Sequence, residues 1–133
     1  TDIISRMKKM VSIWNINSFA EFFMQIFTKY EDEYLKACDK FIAERNDFEQ
    51  KLREISFLRV MPSQANYFLC EILPPYNANA LVLKMLKQYN ILTRDCSTKG
   101  GFDGKQYMRI AVRSHADNAR LIAAYKEIEN ENK

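Results

Sequence analysis

Two arginines in the second half of the sequence are the residues best placed to bind a ligand. Arg109 lies inside the segment 107–113, which alternates apolar and polar residues as a half-buried β-strand does. Arg94 lies inside a second predicted strand, 91–96. A guanidinium group stays charged at neutral pH, and its planar fork matches a carboxylate or a phosphate. Both residues are therefore candidates for binding an anionic substrate.

The same pattern leaves two other interpretations open. Either arginine could form a structural ion pair with Asp95 or Asp103, because a buried guanidinium requires an anionic partner. A solvated outer face of the sheet would need no such partner. The alternation places Met108, Ile110 and Val112 on the opposite face, which we expect to be the core.

The rest of the sequence offers little catalytic or metal chemistry. Its single histidine, His115, excludes a multi-histidine metal site, and we expect no metal and a surface or helix-capping position. The three cysteines, Cys38, Cys70 and Cys96, are far apart, form no zinc or redox pair, and favour a reducing, cytoplasmic setting. All three glycines lie at 100–104, so no phosphate-binding glycine motif is available elsewhere.

Length and charge set further limits on function. The 133 residues suffice for one core, and the net charge of +3 is too small to indicate a nucleic acid or a membrane surface as partner. No apolar run approaches the roughly 18 residues that a membrane span requires.

The elements that must position the arginines follow from the period of the hydrophobic pattern. Their order is α-α-β-β-α-β-β-α, which predicts an α+β domain whose small, mostly antiparallel sheet is covered by helices on one side. The predicted elements are a helix after Asn17, a helix over 31–55, strands over 57–60 and 67–72, a helix capped by Asn77 or Asn79, strands over 91–96 and 107–113, and a helix opened by Ser114.

The first predicted helix carries an aromatic stripe. Ser18 and Glu21 have the spacing of a capping box. The stripe residues recur at helical spacing: Phe19, Phe22, Phe23, Ile26, Phe27 and Tyr30. We expect this stripe to face a core, with an aromatic ligand-binding box or a surface covering a further domain as alternatives. Residues 1–13 show no clear opening element and are expected to be a tail or the remnant of an interdomain segment.

Four motifs in order resemble one known family. They are Ile13-Trp14-Asn15-Ile16-Asn17-Ser18, Pro62-Ser63-Gln64-Ala65-Asn66-Tyr67-Phe68, Ile91-Leu92-Thr93-Arg94-Asp95-Cys96-Ser97, and Tyr107-Met108-Arg109-Ile110-Ala111-Val112-Arg113 followed by Asp117, Asn118 and Leu121. Together they resemble the C-terminal small domain of class I/II, fold-type I aminotransferases dependent on pyridoxal phosphate. The branch of histidinol-phosphate aminotransferase and threonine-phosphate decarboxylase is the most similar. Residues 14–133 are therefore expected to be such a small domain.

The resemblance implies roles at matching positions. Arg109 matches the arginine that binds the substrate's α-carboxylate, and Arg94 matches the arginine that contacts a second anionic group in the phosphate-ester branch. Arg113 matches a position where a structural ion pair is expected. Asn17 lies near the interdomain region and is a candidate for an interdomain or active-site loop. No catalytic residue is expected in this segment.

The resemblance also implies pyridoxal 5'-phosphate as the cofactor of a longer protein. In this family the Schiff-base lysine and the phosphate-binding residues lie in a large domain upstream of the small one. The residues before Trp14 leave no room for that domain, so we expect a fragment that is inactive alone and binds no cofactor itself.

The expected reaction of the longer protein is amino-group transfer from an amino acid, with or without a phosphate ester, to a 2-oxo acid or an aldehyde. The expected partners are an amino-acid substrate with an anionic group, the chain's own large domain and a second subunit in a homodimer. Decarboxylation of an amino-acid phosphate is one alternative. A non-catalytic binding or dimerisation module of the same fold is another.

Overall fold

The computed structural model describes residues 2–10 and 16–131 of the chain. The chain divides into two compact units, residues 1–39 and 40–133. Its elements are α1 (Asp2–Met10), α2 (Ser18–Ile26), a 3-10 turn (Phe27–Lys29), α3 (Glu31–Arg53), β1 (Leu58–Val60), β2 (Tyr67–Ile72), α4 (Ala78–Tyr89), β3 (Arg94–Asp95), β4 (Tyr107–Ala111) and α5 (His115–Asn130). From α2 onward the helices and strands follow the predicted order.

The second unit is built on a four-stranded antiparallel sheet with the strand order β1-β2-β4-β3. The edge strand β3 has two residues, fewer than the six predicted over 91–96. Ile91, where this strand was predicted to begin, instead closes the end of α4, because its N–H donates to the Met85 carbonyl at 3.1 Å. The ladder continues beyond β3 through the Cys96 N–H, which donates to the Tyr107 carbonyl at 2.8 Å.

One face of the sheet forms the core of this unit. Met108 and Ile110 of β4 are fully buried, as the alternation predicted, and so is Phe68 of β2. Helices α3, α4 and α5 supply the other side of this core, and the ring of Phe48 on α3 lies 6.1 Å from that of Phe68. The α+β class with a small, helix-covered sheet is confirmed.

Short polar side chains begin three of the helices. The side-chain oxygens of Asn17, Asn77 and Ser114 each accept the backbone N–H three residues on, at 2.9, 3.1 and 3.2 Å. The predicted cap at Ser114 is confirmed. Asn77 rather than Asn79 caps α4, and Asn17 rather than Ser18 caps α2.

The longest helix, α3, ends at Arg53 rather than at residue 55. Its buried side chains all lie in its second half, where Phe48 and Leu52 enter the core. None of the described helices is both long enough and apolar enough to cross a membrane.

The first unit departs from the predictions in two places. Residues 2–10, where no clear element was expected, form the helix α1. The assignment of residues 1–13 as a tail or the remnant of an interdomain segment stays a prediction. The stripe of α2 does not enter a core within the described residues, because Phe19, Phe22 and Phe23 are 84%, 59% and 53% exposed. The expectation of a core-facing helix was therefore wrong. Helical periodicity identifies which side is apolar, but not what covers that side.

Candidate functional site

The alternation of β4 turns Arg109 away from the core. Its neighbours in the strand, Met108 and Ile110, are buried, whereas Arg109 itself is exposed on the opposite face. A strand necessarily presents successive side chains to opposite faces. The guanidinium of Arg109 is therefore available on the outer face of the sheet.

Strand pairing brings the second predicted arginine next to the first. Arg94 of β3 is the direct cross-strand partner of Arg109, and both are exposed. Directly opposed side chains have Cβ atoms only about 4.5–5.5 Å apart, and like charges there destabilise a sheet. An anion held by both guanidinium groups would remove that repulsion.

Neither arginine forms an ion pair within residues 2–10 and 16–131, which contradicts the structural ion-pair interpretation there. Asp95 instead accepts the Ser97 backbone N–H at 2.8 Å. Burial alone would raise the pKa of Asp95, but hydrogen bonds from Ser97 and Asn79 outweigh it and leave that pKa below the usual value. The interpretation as a solvated outer face stays open.

A tyrosine that was not among the predicted site residues forms a cation–π contact with Arg109. The Arg109 Cζ atom lies 5.1 Å from the ring centroid of Tyr67, on the neighbouring strand β2. A cation–π contact with one ring engages only part of the guanidinium, so some of its five N–H donors remain for a carboxylate. Alternation along 67–72 could have placed Tyr67 on the outer face, but its contact with Arg109 depends on the strand register.

The two arginines line an open depression of about 410 Å³ on the sheet surface. Its lining is completed by Leu92, Thr93, Asp95 and Ala111. None of these residues is a lysine, histidine or cysteine, and the one carboxylate among them, that of Asp95, already accepts the Ser97 backbone N–H. Paired guanidinium groups on an apolar floor suit a small molecule with one or two anionic groups.

A second cavity, of about 330 Å³, lies beside the first and shares three of its lining residues. Here the Arg113 Nε is 3.1 Å from the Asp117 carboxylate, which confirms the structural pair expected for Arg113. The Ser114 hydroxyl and then Arg113 hold the pKa of Asp117 below its usual value. Arg120 donates to the Tyr89 carbonyl. The charges of this cavity are thus engaged within the fold.

The outer face contains one further arginine, and this one is paired. Arg59 of β1 lies directly opposite Glu71 of β2, with Arg59 Nε 2.8 Å from the carboxylate. The Tyr107 hydroxyl lies 3.5 Å from the same carboxylate oxygen. The hydrogen bond from Arg59 is the main cause that holds the pKa of Glu71 below its usual value, although burial opposes it.

The cysteines show no sign of catalytic activation. All three are free thiols. Burial raises the pKa of Cys70 to about 12, so its thiolate is scarce at neutral pH. Cys96 is also buried.

Asn17 has an observed structural role as the cap of α2. Its proposed place in an interdomain or active-site loop stays a prediction. Trp14, with the rest of 11–15, lies outside the described residues. His115 is exposed as expected, and its Nδ1 atom lies 3.2 Å from a Glu44 carboxylate oxygen.

Comparison with known proteins shows the family. An L-serine phosphate decarboxylase of Campylobacter jejuni is 32% identical over 129 residues, which cover 96% of this chain and 33% of that protein. A decarboxylase from Sulfurospirillum multivorans has a similar structure, with a TM-score of 0.80, 27% identity, and coverage of 96% of this chain and 36% of its own. The histidinol-phosphate aminotransferase from Clostridium acetobutylicum matches with a TM-score of 0.73, 30% identity, and coverage of 98% and 38%.

The chain thus spans between 33% and 38% of the length of each of these three proteins. Its residues 1–124 match the family model of aminotransferase class I and II. The resemblance carried by the four sequence motifs is confirmed, and the chain belongs to the aminotransferase class I and II family.

Proposed function

We propose that this chain is the substrate-binding small domain of a longer enzyme that uses pyridoxal phosphate to transfer the amino group of an amino acid. Arg109 binds the α-carboxylate of the substrate, and Arg94 binds a second anionic group such as a phosphate ester. The observation that carries this proposal is the cross-strand pair Arg94–Arg109, which has no carboxylate partner in the described part of the chain and lines an open depression.

The described residues at the depression do not fit pyridoxal phosphate itself. When bound, this cofactor supplies an electron sink for the chemistry at the substrate's α-carbon, and it requires a lysine for covalent attachment. No lysine lines the depression. We assign the cofactor to the remaining part of a longer protein, and we expect no amino-transfer activity from this chain mixed with pyridoxal phosphate and an amino-acid donor.

This domain contributes binding and orientation. A bidentate contact from Arg109 sets the direction of the substrate's carboxylate, and the ring of Tyr67 helps to hold the guanidinium in place. Because Arg94 holds the second anionic group, the substrate is bound at two points, and this fixes the position of its α-carbon. Such positioning lowers the entropic part of the activation barrier, because the substrate is already oriented for reaction when it is bound.

The exposed aromatic side of α2 supports the proposal that the chain is part of a larger protein. Its three phenylalanines, Phe19, Phe22 and Phe23, are more than half exposed among the described residues. Exposed apolar patches of this kind mark surfaces that another domain or subunit covers. We propose the enzyme's own large domain as the cover, in a homodimer, and expect the isolated chain to self-associate. A clean monomer at high concentration in sedimentation would argue against this assignment.

The decisive substitution is Arg109→Lys in the longer enzyme. Lysine keeps the charge but loses the bidentate contact. The fall in kcat/KM should correspond to a loss of roughly 2–4 kcal/mol of transition-state stabilisation. Arg113→Lys is the matched control, because Arg113 is an exposed arginine of the same chain segment whose partner is Asp117. Its kcat/KM should change little. An unchanged kcat/KM in Arg109→Lys would remove this residue from the site.

Decarboxylation is the second candidate reaction, and the comparisons favour it specifically. Two of the similar proteins described above are decarboxylases, one of them named for L-serine phosphate. Both reactions need the same anion-binding arginines, so the domain's geometry serves either. Product analysis separates them, since a 2-oxo acid or aldehyde indicates transfer and carbon dioxide with an amine phosphate indicates decarboxylation.

A non-catalytic module of the same fold is the remaining rival. The coding sequence upstream of Thr1 distinguishes it from the enzyme. An in-frame large domain with its lysine supports the enzyme, and a start signal immediately before Thr1 supports the module.

A further inference from the structure

Three side chains that commonly bind metals converge in the second unit, and none of them lines the arginine depression. Glu44 and Asp47 lie one turn apart on α3, and His115 is the first residue of α5. One ligating atom from each lies within 4.8 Å of those from the other two. Because 71 residues separate Glu44 from His115, sequence spacing gave no sign of this group and favoured no metal.

One edge of the group is close to the ligand spacing of a metal site. The His115 Nδ1 atom lies 3.2 Å from the Glu44 Oε2 atom. Two ligands at about 2.0–2.2 Å from a tetrahedral zinc ion are about 3.3–3.6 Å apart. The third ligand atom, from Asp47, lies within 4.8 Å of the other two and must approach them further to complete a site.

Both carboxylates are also held from behind. Asn118, which is buried, donates from Nδ2 to Glu44 Oε1 at 2.8 Å, and the backbone of Arg113 holds Asn118 in turn. Lys51 donates to Asp47 Oδ2 at 2.6 Å. Partners of this kind orient metal ligands, and here they leave one oxygen of each carboxylate for an ion.

We propose that Glu44, Asp47 and His115 form a binding site for a divalent ion of the zinc class, completed by water. An imidazole nitrogen with two carboxylate oxygens suits zinc, whereas magnesium and calcium prefer oxygen ligands throughout. The bound ion replaces the hydrogen bond between His115 and Glu44 and joins the start of α5 to α3. The ammonium of Lys51 opposes the ion's charge and limits its affinity. This site is independent of the proposed enzymatic function.

The test is a zinc titration of the chain produced without a histidine tag. Since His115 is the only histidine, its imidazole nitrogen signals report ligation directly. We expect a saturable shift of the Nδ1 signal with one ion per chain, and a melting temperature that rises with zinc concentration. Magnesium should produce neither effect. No imidazole shift up to millimolar zinc would overturn the proposal.

Variants separate this site from adventitious binding, with the melting temperature in chelator confirming that each one folds. His115→Gln and Glu44→Gln should each weaken zinc binding by about tenfold or more. The matched control Glu49→Gln, on the same helix, should leave the affinity unchanged, as should Cys38→Ser. Lys51→Met should tighten binding because it removes the opposing charge. Zinc affinity that is insensitive to His115→Gln, or lost in Cys38→Ser, would place the ion elsewhere.

Discussion

On the outer face of the sheet, two cross-strand pairs contain arginine, and they differ in the charge of the arginine's partner. Arg59 on β1 faces Glu71 on β2, whereas Arg94 on β3 faces Arg109 on β4. The first pair satisfies its charges within the fold. The second leaves two positive charges side by side on a surface depression.

This contrast shows that residue type alone does not separate an arginine paired within the fold from one that has no carboxylate partner in the described part of the chain. Both pairs occupy outward positions in a regular antiparallel ladder, where an opposite charge stabilises and a like charge destabilises. The like-charge pair costs the isolated domain stability and, as we propose, provides the surface that binds an anionic substrate. The opposite-charge pair has no comparable ligand-binding potential, because Glu71 already occupies Arg59.

The largest expected effect on stability comes from breaking the paired arginine. Arg59→Met leaves the buried Glu71 carboxylate without its main hydrogen-bond donor. We expect the melting temperature to fall by on the order of 5 °C in thermal unfolding. The double variant Arg59→Met with Glu71→Met should recover most of that loss, because no buried charge remains. Equal melting temperatures for wild type and Arg59→Met would show that the pair is not structural.

The Arg59–Glu71 pair should make the free energy of unfolding depend on pH in the acidic range. Because the pKa of Glu71 is lowered in the folded chain, its contribution is complete above the ordinary glutamate pKa of about 4.3 and disappears as the pH falls through the lowered value. Glu71→Gln cannot titrate. The difference in free energy of unfolding between wild type and Glu71→Gln, from urea titrations, should therefore be constant near neutral pH and shrink in acid. A difference that persists to pH 2 would contradict this assignment.

The smallest expected effect has the opposite sign. Arg94→Glu converts the like-charge pair into an opposite-charge pair with Arg109, so the isolated chain should become more stable by about 0.2–1 kcal/mol in urea unfolding at low salt. Arg94→Gln, which only removes the repulsion, should lie between wild type and Arg94→Glu. High salt should reduce both gains. Destabilisation by Arg94→Glu would mean that the two guanidinium groups do not repel each other.

Local patterns in the sequence predicted the parts of the site that depend on one strand at a time. Alternation along 107–113 places Arg109 outward and Met108 inward, and the Ser114 cap marks where the next helix begins. Such features follow from the two-residue period of a strand and from the unpaired N–H groups of a helix start.

The parts that failed depend on contacts between distant segments. Register decides that Arg94 faces Arg109 and that Tyr67 stacks on the same guanidinium, and no local pattern encodes register across the loop at 96–106. The stripe of α2 was assigned to a core for the same reason, since its apolar side is visible in sequence but its cover is not. Helix α1 does carry a helical pattern in its sequence, because Ile3, Met7 and Met10 recur at helical spacing, but this pattern was overlooked.

The most direct test of the central claim is a titration of the chain with O-phospho-L-serine, followed through the guanidinium Nε–H signals of its arginines at physiological ionic strength. The account predicts saturable shifts at Arg94 and Arg109, weaker shifts with serine or phosphoethanolamine, which each lack one anionic group, and no response in Arg94→Glu. The signal of Arg113, held by Asp117, should stay in place. Shifts of equal size at Arg113, or no saturable shift at Arg94 and Arg109, would contradict it.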